Sequence, residues 1–214
     1  GQQRMSVLFS PIRLRDLEFR NRIFMSPMCQ YIAQDGMAQD WHAIHYTTRA
    51  IGGAALIMIE ATAVAQDGRI TPWDLGLWSD RQVSALAVIA DLIRKQGAVA
   101  GIQLAHSGRK GSCEAPWKGS QPVALSRGGW ETAAPSAIPF EPHYPVPREM
   151  SIKELDALLE GFRMATQRAL QAGFQVVELH MAHGYLLHQF LSPLSNQRQD
   201  QYGGSWENRV RFPV

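Results

Sequence analysis

Short, continuously apolar blocks alternate along the chain with stretches whose apolar positions recur every three or four residues. Arg22–Met28 reads as a first buried strand, stopped by Pro27. Asp40–Gly53 reads as a helix with Trp41, Ile44, His45 and Thr48 on one face and Gly52-Gly53 at its end. Ala54–Val64 is apolar except for Glu60 and the threonine, as expected of a strand covered on both faces. Ser79–Gly97 then gives a helix capped by Ser79 or Asp80. It carries Val83, Leu86, Ile89, Ala90 and Ile93 on one face and closes with Lys95 and Gly97. Ala98–His106 is a third strand. A long Pro/Gly/Trp-rich segment, Ser107–Glu149, follows, and a loop of that length in a compact domain is functional or disordered. Ser151 caps the next helix, with Glu154 completing a capping box and Gly173 stopping it. Phe174–His180 is the fourth strand.

Strands and helices thus alternate, which predicts an α/β fold with parallel strands. A dinucleotide-binding Rossmann fold wants G-x-G-x-x-G after its first strand, but "MSPMCQY" stands there. A (β/α)8 TIM barrel fits better, because such barrels put their chemistry at the C-terminal ends of the strands. Polar residues gather at those ends: Cys29 after the first strand, Glu60 and Thr62 at the second, Gln103 and His106 at the third, His180 and His183 at the fourth. A full barrel takes about 250 residues. Here four strand–helix units are followed by the start of a fifth helix, "GGSWENRVRFPV". The pattern therefore predicts about the N-terminal half of a barrel, whose open sheet edge is a liability if left uncovered.

Composition narrows the class. The chain has 214 residues, 45% hydrophobic and 19% charged, as in ordinary globular proteins. A net charge of +2 without a Lys/Arg block gives no reason to expect a nucleic-acid partner. The most apolar run is interrupted by Glu60 and rich in Gly and Ala, so no membrane span is expected. Cys29 and Cys113 are far apart and match no metal spacing; a reducing, cytoplasmic compartment is expected. No signal-peptide core precedes the first strand. "GQQR" before Met5 reads as a tag or linker remnant, residues 1–4, with Met5 as a natural start.

The strand-end residues suggest chemistry by type. Gln103 has an amide that donates and accepts together and suits the imide-like edge of a planar ring, or simply caps a loop. His180 and His183 can give two hydrogen bonds to one oxyanion or bind a metal. Zinc needs a third ligand, for which His106 or Glu60 would have to serve. No metal is expected. Tyr185 is a weak acid, useful where a strong base forms beside it, or a packed core tyrosine. Cys29 is a soft neighbour for a redox ring or an inert buried thiol. His42 and His45 read as core-edge histidines, the scattered tryptophans as packing, and Arg209 and Arg211 as anion contacts or caps.

Four ordered stretches, "RNRIFMSPMCQY", "EATAVAQDGRITPWDLGLWSD", "GIQLAHSGRKG" and "ELHMAHGYLLHQFLSPLSNQRQDQYGGSWENRVRF", resemble the old yellow enzyme family of flavin-dependent ene reductases, in the bacterial branch of xenobiotic reductases and NADPH dehydrogenases. The resemblance runs from about Leu8 to the last residue. It implies an FMN over the barrel mouth and NADPH or NADH as hydride donor. By motif position, Ser26, Pro27, Met28 and Cys29 run beside the flavin and Ala61 follows the second strand at the ring. Gln103 meets the pyrimidine edge, and Arg209 approaches the same end. His180 and His183 grip the substrate's carbonyl or nitro oxygen. Tyr185 is the proton donor, and Tyr31 and Lys110 line the substrate side. The implied activity is reduction of activated C=C bonds in enones, enals or related compounds by ping-pong hydride transfer. An inactive or non-catalytic barrel fragment and a metal-dependent hydrolase using His180 and His183 are the rival readings. In this family the FMN phosphate is held by loops after the last strands, and those loops are not in the sequence. Residues 5–214 are accordingly expected to be the N-terminal portion of one FMN-binding barrel domain. A second chain is expected to supply the C-terminal half, and the completed barrel to form a homo-oligomer.

Overall fold

The computed structural model describes residues 6–214. The expected tag remnant, residues 1–4, and the expected start at Met5 lie outside the described residues. In chain order the elements are β1 (Ile12–Leu14), β2 (Leu17–Phe19), β3 (Phe24–Met25), α1 (Asp40–Ile51), β4 (Leu56–Ala63), α2 (Val83–Lys95), β5 (Val99–Ala105), β6 (Ala133–Ala134), β7 (Arg148–Glu149), α3 (Ile152–Gln171), β8 (Val176–Leu179), α4 (Leu186–Leu191) and α5 (Trp206–Val210). β3, β4, β5 and β8 form one parallel sheet in that order. Helices α1, α2 and α3 connect its successive strands. The fold is the N-terminal half of a (β/α)8 barrel.

The periodic segments fold as their patterns dictate. β4 and β5 are buried along their whole length. Alternate side chains divide two cores: Ile57, Ile59, Ile102 and Leu104 pack with the helices, while Leu56, Met58 and Val99 face inward on Phe19. The antiparallel hairpin β1–β2, absent from the sequence-based expectation, closes that inner cluster with Ile12 and Leu17. Gly101 on β5 leaves room for Met58 and Leu56, whose side-chain atoms would lie 2.9–3.1 Å from an added Cβ. The expected face of α2, Val83, Leu86, Ile89, Ala90 and Ile93, is buried in full. Each such side chain contributes roughly 1.5–3 kcal/mol by leaving water. Ser79 caps the 3-10 turn that leads into α2, and Ser151 with Glu154 forms the capping box of α3.

Four expectations need correction. The first strand is only Phe24–Met25, because the chain beyond Met25 makes no strand pairing as it enters the site. Helix α1 buries His42, His45, Tyr46 and Ala50, while Trp41 and Ile44 are 45% and 56% exposed. The helix is turned by a buried partner: the Tyr46 hydroxyl donates to the Glu60 carboxylate, and His42 Nε2 lies 3.7 Å from it. The fourth strand is four residues long and half open, with Glu178 and Leu179 exposed at the sheet edge. The Ser107–Glu149 segment is neither disordered nor structureless. It carries three 3-10 turns and the parallel β6–β7 pair.

Candidate active site

The C-terminal ends of the four parallel strands surround a cavity of about 810 Å³. The end of β3 supplies Ser26, Pro27, Met28, Cys29 and Tyr31; β4 supplies Ala61, β5 Gln103, and the turn after β8 His180, His183 and Tyr185. Local irregularities aim these groups. The β4–β5 register slips between Ile59 and Thr62, so a bulge at Glu60-Ala61 sends Glu60 toward α1 and leaves Ala61 on the cavity wall. Glu60 is wholly buried, and its Oε1 accepts the backbone N–H of Gln30 at 3.0 Å. That bond holds the peptide between Cys29 and Tyr31, and Tyr31 itself sits at φ +52°.

The turn after β8 is a compact donor cluster. The His180 ring stands edge to face with His183 at 5.2 Å and with Tyr185 at 5.0 Å between centroids. His180 Nδ1 accepts the N–H of Ala182 at 3.3 Å, so the neutral ring carries its proton on Nε2 and is a donor there. Burial, then the neighbouring charges of His183 and Lys110, pushes the His180 pKa down to about 4. His180 is therefore neutral at pH 7. Burial pushes the Tyr185 phenol well above its ordinary value, and the fields of Cys29 and Asp74 add to this. Tyr185 keeps its proton until something strongly basic forms next to it. The same causes, burial first and then Asp74 and Glu60, raise the Cys29 thiol, and burial raises Tyr31.

Gln103 is 8% exposed, and its Nε2 donates to Glu178 Oε1 at 2.6 Å. Its amide oxygen makes no hydrogen bond among the described residues. Beside it lie Pro27, Met28 and the small side chain of Ala61. A broad cavity with such a wall and a free amide acceptor fits a planar ring with an imide edge. Among the described residues no group of three His, Cys, Asp or Glu side chains is arranged to hold a metal ion. No helix is long and apolar enough to cross a membrane among the described residues.

Two expected site residues stand elsewhere. Lys110 lies in a smaller adjoining pocket of about 190 Å³ that shares Tyr31, Ile70 and Tyr185 with the main cavity. Its ammonium donates to the His183 carbonyl at 2.8 Å and lies 4.7 Å over the rings of Phe140 and Tyr185. Arg209 does not line the cavity. It sits on α5 and donates to the carbonyls of Leu191, at 2.8 Å, and Gly204. Those backbone acceptors fix it beneath α4, away from Gln103. Sequence reasoning also missed contributors. Glu178 shares the Gln103 amide, and its spacing of two from His180 puts both on one strand face, a signal that was available. Ile70 reaches the cavity from a loop closed by Asp74, whose carboxylate accepts the N–H groups of Ile70 and Thr71 and the Thr71 hydroxyl. Burial still pushes Asp74 up to about 7. No local pattern marks that loop.

Comparison with known proteins agrees with this geometry. Residues 7–214 match the NADH:flavin oxidoreductase / NADH oxidase family. An NADH:flavin oxidoreductase of Gibberella zeae is 50% identical over 208 residues, covering 95% of this chain and 50% of the relative. An NADPH dehydrogenase of a Geobacillus strain is 48% identical over 209 residues, covering 97% and 57%. The crystal structure of old yellow enzyme from Pichia superimposes with a TM-score of 0.85 at 31% identity, covering 98% of this chain and 54% of that one. The chain belongs to the NADH:flavin oxidoreductase / NADH oxidase family, which includes the old yellow enzymes. The cofactors this family implies are FMN and NAD(P)H. The chain spans about half the length of the curated relatives it matches.

Proposed function

We propose that this chain carries the ring-contacting and substrate-binding half of an FMN-dependent NAD(P)H oxidoreductase that reduces activated C=C bonds, as in enones and enals, and nitro compounds by analogy of their oxygen. The observation that carries the reading is the single turn that presents His180, His183 and Tyr185 together to the cavity that Cys29 and Ala61 also line. Ser26, Pro27, Met28, Cys29, Ala61 and Gln103 would hold the isoalloxazine ring. The chemistry FMN supplies when bound is two-electron redox, with hydride taken from NAD(P)H and passed to the electron-poor carbon of the alkene. The chain's own residues do the rest. The neutral His180 donates from Nε2, and His183 beside it gives a second donor for the substrate's oxygen. Preorganised donors of this kind are worth on the order of 3–4 kcal/mol each when charge develops on the bound oxygen. Tyr185 holds its proton on the phenolic oxygen for the substrate's α-carbon. Its raised pKa keeps it from ionising in the resting site, so protonation awaits the carbanionic centre. Tyr31 and Lys110 shape the substrate side.

We further infer that residues 5–214 are the N-terminal part of one barrel domain and that activity requires the other half of that barrel. Among the described residues the outer edges of β3 and β8 have no partner strand, with Phe24 40% and Leu179 44% exposed, which supports a complement. A cytoplasmic location and a homo-oligomeric completed barrel complete the reading.

The decisive variant is Tyr185→Phe in the completed, flavin-loaded enzyme. Stopped-flow measurement is expected to find reduction by NADPH nearly unchanged and alkene turnover slowed by about 10²–10⁴-fold, the usual range for a lost general acid. Equal slowing of both half-reactions would remove Tyr185 from the role of acid.

A further inference from the structure

Building on the reading of His183 and Tyr185 as site residues, we propose that Gln189 is a positioning residue that locks the loop after β5 to the turn after β8 and so fixes His183 and Tyr185 against Lys110. Gln189 lies on α4 and does not line the cavity. It is 1% exposed. Its amide spans the two loops: Nε2 donates to Ser107 O at 3.1 Å on one side and to Gly184 O at 2.8 Å on the other, while Oε1 accepts the Arg109 N–H at 3.3 Å. Both donors and the acceptor of the side chain are thus spent on backbone groups of the segments that carry the site.

The geometry on either side is built around that amide. Gly108 lies at φ +58°, and a Cβ there would run into the Gln189 amide. Only glycine both adopts that backbone and leaves the space. Across the cavity rim the Gly184 peptide is gripped twice, its carbonyl by Gln189 and its N–H by His188 Nδ1 at 2.8 Å. His183 and Gly184 lie at φ +58° and +73°. Two successive left-handed residues are costly for a side-chain-bearing residue and persist only where surrounding bonds over-determine them. With the turn held in that shape, the His183 carbonyl meets the Lys110 ammonium at 2.8 Å. Lys110 belongs to the same loop as Ser107 and Arg109, so the amide and the ammonium form two cross-links between the same pair of loops. Loss of the amide leaves the Lys110 contact, the His188 bond to the Gly184 N–H and the Leu186 N–H bond to the His106 carbonyl to hold the turn.

The test needs neither flavin nor turnover, so it stands apart from the proposed activity. Gln189→Met keeps length and volume and removes every hydrogen bond of the amide. Amide hydrogen exchange is expected to speed up at Arg109, Gly184 and Tyr185 by about tenfold or more, with β4 and α3 unchanged. The His180 imidazole titration, followed by NMR, reports the same motion. Burial first, and then the nearby charges of His183 and Lys110, hold its midpoint low, and it is expected to rise as those charges recede. Gly108→Ala pushes on the amide from the opposite loop and is expected to give the same local signature, which guards against a Gln189→Met variant that fails to fold. Exchange and titration both unchanged in the folded variants would overturn the proposal. Protection lost evenly across β4 and α3 would also overturn it, by reducing Gln189 to general core packing.

Discussion

His180 combines two demands in one ring. It must be a hydrogen-bond donor at neutral pH, and it sits where a second imidazole and an ammonium already lie close. Burial and those charges keep it neutral, and the Ala182 N–H fixes which nitrogen carries the proton. A sign follows for stability. The folded value, about 4, lies below the ordinary one of about 6.5, so the unfolded chain binds the extra proton more readily in between. The contribution is therefore present in full above pH 6.5 and is lost as pH falls toward 4. Urea midpoints measured across that window are expected to fall less steeply in His180→Asn than in the wild type. The difference is expected to reach about 1–2 kcal/mol after allowing for solvent at the cavity mouth. Parallel curves for the two proteins would count against the assigned shift.

Elements differ in how much of themselves the sequence displays. Helices α2 and α3 have caps and apolar faces that pack as their periodicity dictates, since their whole buried stripe is apolar. Ser151→Ala removes the α3 cap and is expected to lower stability by about 1 kcal/mol in urea denaturation, with the denaturant slope unchanged. Helix α1 is the opposite case. Trp41 and Ile44 are the more apolar positions, yet Tyr46 and His42 turn inward because the buried Glu60 carboxylate on β4 needs them. A polar partner far along the chain outranks local periodicity, and no window on α1 contains it. The site shows the same division. His180, His183, Tyr185 and Gln103 were legible because a parallel strand delivers its last residues to one end of the sheet. The Gln103–Glu178 pair, the Asp74 loop and the resting place of Arg209 depend on contacts between segments, and so stayed hidden.

At the largest scale, the sheet of the described residues covers half a ring. Among the described residues β3 and β8 each leave one edge without a partner strand, and Ile23, Phe24 and Leu179 lie exposed there. Unpaired edges with apolar side chains favour association. The isolated chain is expected to show concentration-dependent mass in sedimentation. Addition of the C-terminal half of a family barrel is expected to replace this with a defined complex that takes up FMN with visible absorbance. A chain that stays monomeric at all concentrations and takes up FMN unaided would show that the open edges need no complement.

The left-handed backbone of His183 also weights which residues suit that position. β-branched side chains are the most strained at φ +58°, because their own Cβ substituents crowd the backbone, whereas histidine, asparagine, aspartate and glycine adopt it more readily. Of those four only histidine and asparagine present a side-chain N–H to the cavity at neutral pH. The backbone thereby favours histidine or asparagine at this position before the substrate has any say.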